Sequence, residues 1–208
     1  MRTVLLFAFL ASSSFSIVQG GEQSTPAAVT VLLDFEQTHS TAPLSAMRRE
    51  LQNIMGAAGV SVDVQLKSET AEHAQFSRLV FFKMKGACTM NALPVGALSD
   101  ERGPLAMTYT SDGKLLPFGE VECDRVRESV ERTLGRGDPE GQQLAYGTAL
   151  ARVMAHEIYH MIANSKGHTK DGATRESLSS RELIRRQLPL GSKAEAQVRT
   201  GFRQNPLR

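Results

Sequence analysis

Three of the five histidines in this 208-residue chain fall within one short stretch, as His156-Glu157-Ile158-Tyr159-His160 followed by His168. On a helix, positions i and i+4 project from the same face about one turn apart, so the imidazoles of His156 and His160 can converge on one divalent ion. Glu157 lies beside that face, where a carboxylate can hold and deprotonate a water on the ion. A catalytic tetrahedral zinc takes three protein ligands and keeps one open position, and imidazole donors favour zinc among the divalent metals. His168 is the natural third ligand, returned beneath the ion by a turn at Gly167. Two acids compete for its place. Glu182 lies on a later short helix, where it already has a capping role, and Asp171 follows Lys170 in a turn, where a solvated acid is ordinary.

The plain alternative is a pair of hydrogen-bonded core histidines that happen to flank a glutamate. The motif, however, ends a long apolar helix, behind Leu150, Val153, Met154 and Ala155. A cluster of polar rings is costly there unless something satisfies it.

Periodicity predicts the elements that must position the cluster. Val29–Phe35 reads as a buried strand, and the next helix carries Pro43 in its first turn with Leu44, Met47, Leu51, Ile54 and Met55 at helical spacing. Val60–Leu66 alternates apolar with polar, as a strand with one wet face does, and Arg78–Met84 reads as a second buried strand. After a loop over Asn91–Gly103, Asp112-Gly113 between Leu105–Thr110 and Leu115–Cys123 signals a hairpin. A helix from Asp124 to Leu134 ends at Gly135, Gly137 and Pro139, and the long helix spans Glu140–Asn164. Ser179 and Glu182 form a capping box for a short helix beyond.

Residues 1–20 combine Arg2, an apolar run over Val4–Leu10 and a Ser-rich end in small residues, the layout of a secretory signal peptide cleaved near Gly20. The run is too short to span a bilayer, so no membrane association is expected after its removal. What remains, residues 21–28 leading into the first strand and then one domain to residue 208 with a C-terminal tail from about residue 189, is long enough to bury its own core. The formal charge of +2 drops by one when Arg2 is lost, and basic and acidic residues are interspersed, so nucleic acid is not an expected partner. Cys88 and Cys123 are an even count in a chain bound for an oxidising compartment, secreted or periplasmic, and one disulfide is expected. The competing use of Cys88 as a zinc thiolate leaves Cys123 unexplained.

The segment His156-Glu157-Ile158-Tyr159-His160 resembles the zincin metallopeptidase motif, and a third histidine behind a glycine is similar to the metzincin branch. The spacing departs from that branch. Where metzincins place a glycine three residues and a histidine six residues after the second ligand, this chain has Ala163 and Lys166, with His168 two later and no methionine after Met161. The resemblance implies an α+β, zincin-like fold with a small mixed or antiparallel sheet, a backing helix, a long active-site helix and a short C-terminal helical subdomain. It implies a peptidase with one catalytic zinc, acting on a peptide or protein through zinc-bound water with Glu157 as general base, and Tyr109 or Tyr146 as oxyanion donor. In the same frame Tyr159 is a packing residue, and the Leu105–Thr110 strand can pair with extended substrate. The rival expectation is an exported zinc-binding protein without turnover.

Overall fold

β1 (Ala27–Phe35) has a neighbouring strand on each side, and its Val31, Leu32 and Leu33 are all buried. The computed structural model describes residues 27–91, 103–134 and 138–204. The expected signal peptide, the start of the mature chain, most of the Asn91–Gly103 loop and the glycines after Leu134 lie outside the described residues. β1 pairs in parallel with β2 (Val60–Leu66) and with β3 (Leu79–Lys85). A parallel pair needs a crossover, and α1 (Thr41–Ala57) supplies it between β1 and β2. β4 (Ala106–Ser111) and β5 (Lys114–Glu122) form the expected hairpin, with Asp112 and Gly113 both at positive φ in its turn.

The result is a five-stranded mixed sheet in the order β2-β1-β3-β5-β4, parallel except for the edge strand β4. Val29, Val31, Leu33, Val80, Phe82, Met84 and Val121 belong to one core cluster with residues of α1 and of a long helix, α3 (Pro139–Ala163). Pro43 sits in the first turn of α1, and Leu44, Met47, Leu51, Ile54 and Met55 are its buried face, as their spacing predicts. Gly119 of β5 lies beneath Met161 of α3. A Cβ there would lie 2.8 Å from the Met107 carbonyl oxygen of β4 and from the Phe82 ring, and 3.1 Å from the Met161 methyl of α3, so a side chain would press on the neighbouring strand and on the Met161 tip.

α2 (Cys123–Leu134) follows β5 directly, and Cys123 at its start is bridged to Cys88 beyond β3. The pairing matches the expectation from the cysteine count and uses up the thiol that could have served as a metal ligand. α4 (Ser180–Ile184) carries the expected capping box, with the Ser179 hydroxyl accepting from the Glu182 N–H and the Glu182 carboxylate accepting from the Ser179 N–H. Within the stretch read as a tail, Ser192–Gln204 forms a further helix, α5, which buries Ala194, Val198 and Phe202 and packs on α3. Among the described residues, no helix is long and apolar enough to cross a membrane.

Candidate metal centre

The helix that carries the histidines is set at both ends by its own sequence. Asp138 caps α3 by accepting from the Glu140 N–H, and Pro139 stands in the first turn, where its missing donor costs nothing. The helix ends at Asn164, which takes the left-handed conformation at φ 46° while its N–H bonds the His160 carbonyl. The turn expected at Gly167 is thus made three residues earlier, because asparagine tolerates that conformation, and Gly167 has no positive φ. Ending there brings the Ser165 carbonyl back onto the His160 ring.

Each helix histidine is oriented by a backbone carbonyl. His156 Nδ1 donates to the Ala173 carbonyl at 2.9 Å, and His160 Nδ1 donates to the Ser165 carbonyl. Ala173 belongs to a 3-10 turn, Gly172–Thr174, pinned by Ala173 N–H to the Pro189 carbonyl and by the Thr174 hydroxyl to the Leu190 carbonyl. Gly172 in that turn is at φ 75° with the Leu190 carbonyl where a Cβ would fall, so only glycine fits. With a proton on each Nδ1, a neutral imidazole has a bare lone pair on Nε2. The two Nε2 atoms face each other at 3.0 Å.

Burial keeps these rings neutral. It lowers the His156 pKa to about 4, against the opposing bond to Ala173, and it lowers that of His160 as well. His168, exposed beyond the helix end, completes the group, its ring centre 5.1 Å from that of His156 and 5.0 Å from that of His160. One ring nitrogen from each of the three lies within 4.8 Å of the others. Tetrahedral zinc with bonds of about 2.0–2.1 Å holds ligand nitrogens about 3.3 Å apart, so the donor set and the facing lone pairs fit zinc.

Glu157 is buried on α3, 8% exposed, and burial pushes its carboxyl pKa up while the Thr108 hydroxyl opposes the rise. Thr108 Oγ1 donates to Glu157 Oε2 at 2.6 Å. His156 and Glu157 line a cleft of about 360 Å3 whose other walls include Leu105, Ala106, Val153, Arg175 and Leu178. The histidine group, a buried carboxylate and an open cleft therefore adjoin one another.

Glu182 and Asp171 are not part of the histidine group. The Glu182 carboxylate is engaged by Ser179 and by Arg175, at 2.5 Å from the guanidinium. The Tyr159 hydroxyl lies 3.2 Å from the Gly167 carbonyl and 3.0 Å from Gln197 Oε1, a packing role that also steadies the loop ahead of His168. Tyr146 is buried and donates to the Cys123 carbonyl, while Tyr109 lines a different pocket with Phe81 and Phe118 and bonds Glu120. Neither tyrosine lines the cleft at His156. Sequence reasoning did not single out Thr108, Ala173 or Ser165. The last two act through backbone carbonyls, which carry no residue-type signal.

No protein-family model and no curated protein matches the chain. Among solved structures, the chain is similar to the crystal structure of archaemetzincin from Methanopyrus kandleri, with a TM-score of 0.50 at 12% identity over 86% of this chain and 98% of that one. The likeness concerns the fold, which is zincin-like, with a mixed sheet and helices in the archaemetzincin arrangement.

Proposed function

We propose that the chain is an exported zinc metallopeptidase that holds one ion on His156, His160 and His168 and uses Glu157 as general base on a peptide or protein. The observation that carries this reading is the pair of Nε2 atoms 3.0 Å apart, each with its Nδ1 tied to a carbonyl, beside a buried carboxylate and a cleft. When bound, zinc would polarise a carbonyl and acidify a water molecule. Glu157 takes up a proton at its carboxylate and returns it to the departing amine. Edge strand β4, beginning at Ala106 on the cleft wall, has no strand on its outer side among the described residues and suits pairing with an extended chain.

Among the described residues no fourth His, Cys, Asp or Glu joins the three histidines, which favours an open catalytic site over a closed structural one. Elemental analysis and digestion of casein by the purified protein, with and without chelator, test the assignment. Glu157→Gln should keep its zinc and lose about 10²- to 10⁴-fold in rate. A variant that cleaves as fast as wild type would sink the mechanism. Export is supported by the layout of residues 1–20 and by the Cys88–Cys123 bridge. N-terminal sequencing should find the extracytoplasmic chain starting near Gly21, and a cytosolic product retaining Met1 would overturn it.

A further inference from the structure

Thr108 stands on the edge strand β4, 49 residues before Glu157 in sequence, yet its hydroxyl meets the Glu157 carboxylate at 2.6 Å. Two features of the sheet put it there. Thr108 is paired with Gly119, which leaves room for the Met161 methyl of α3, so strand and helix adjoin at this level. The register of β4 against β5 then shifts between Thr108 and Thr110, an irregularity of the kind that re-aims a side chain at a sheet edge.

Glu157 needs such a partner. A carboxylate buried to 8% exposure is costly unless its oxygens are bonded, and the Thr108 hydroxyl is the side chain that bonds one of them. A carboxylate free to rotate about its last torsions would spend much of its time out of line with the proton it must take.

We infer that Thr108 is the positioning residue for Glu157: its hydroxyl fixes the orientation of the carboxylate and links the edge strand, where substrate would lie, to the general base. The contact stands without any metal, and its effect on turnover rests on the peptidase reading above. Threonine, unlike valine of the same shape, carries the donor, and serine can replace it.

A double-mutant cycle on chelator-treated full-length protein tests the contact itself. Thr108→Val should lower the melting temperature by about 3 °C with Glu157 present and by no more than about 1 °C in a Glu157→Met background. Equal shifts in the two backgrounds would overturn the inference, because the hydroxyl would then be only a strand residue. On zinc-loaded protein with casein as probe, Thr108→Val should lower kcat about tenfold with KM within about twofold and zinc content unchanged, and Thr108→Ser should recover most of the rate. A fall in kcat that Thr108→Ser does not recover would count against the hydroxyl as the acting group. Absence of casein hydrolysis in wild type would remove the peptidase reading, and the cycle would still decide the contact.

Discussion

Nε2 of His156 and Nε2 of His160 lie 3.0 Å apart with a proton on neither, because each ring has committed its Nδ1 proton to a backbone carbonyl. Two lone pairs facing at that distance repel unless a cation lies near them both, so the site stores a preference for a metal in the orientation of its rings. Zinc added to chelator-treated protein should therefore raise the melting temperature. An ion at a hundredfold excess over its Kd contributes about 2.7 kcal/mol, provided it binds the folded form alone. His156→Ala and His160→Ala should each abolish the rise in a thermal melt. A rise of the same size in both variants would place the metal elsewhere.

His168 is the exposed member of the group, held by a loop, whereas Glu182 is tied to Ser179 and Arg175. The two substitutions should separate by readout. His168→Ala should lose zinc on dialysis with little change in the melting temperature of the metal-free protein. Glu182→Ala should keep zinc and lose about 1 kcal/mol, the size of a helix-cap contribution. Zinc lost only from the Glu182 variant would exchange the third ligand.

How much of this site could be read in advance follows from which contacts are local. The i, i+4 pair needs nothing but a helix, and the Ser179-Glu182 capping box is complete within four residues, so both were legible. The placement of His168 was also legible, although Asn164 makes the turn that Gly167 was expected to make. Thr108 was not, since its contact with Glu157 depends on a strand order, β2-β1-β3-β5-β4, that arises from pairings far apart in sequence, and on a register shift at the edge. Helix α5 did carry a signal, Ala194, Val198 and Phe202 at four-residue spacing, but it was diluted by the basic residues around it.

The Cys88–Cys123 bridge closes a loop with a sequence separation of 35 and ties the segment after β3 to the start of α2, and neither cysteine belongs to the histidine group. In the chain-entropy account, removing a cross-link of that span costs about 4 kcal/mol. Cys88→Ala/Cys123→Ala protein should melt well below wild type and yet bind zinc in the folded state, as read by equilibrium dialysis at a temperature below its transition. Loss of zinc from the folded double variant would mean that the bridge shapes the site directly.

Glu182 gives a pH dependence whose sign can be worked out. Hydrogen bonds from the Ser179 N–H and hydroxyl, with Arg175 adding its charge, hold its carboxyl below the ordinary value of 4.5. A carboxyl whose pKa is depressed by folding stabilises the fold above its unfolded value, and loses that contribution as the pH falls through the folded one. Glu182→Gln keeps an acceptor for Ser179 but removes the charge, so its melting temperature should lie below that of wild type at neutral pH. The gap should narrow progressively below pH 4.5, and chelator in both samples keeps the histidine group out of the comparison. Because the Glu182 side chain is 25% exposed, salt should shrink the share due to Arg175 and leave the capping bonds largely untouched. A gap that is constant from neutral pH to the acid limit would show that the carboxylate charge contributes nothing to holding α4 in place.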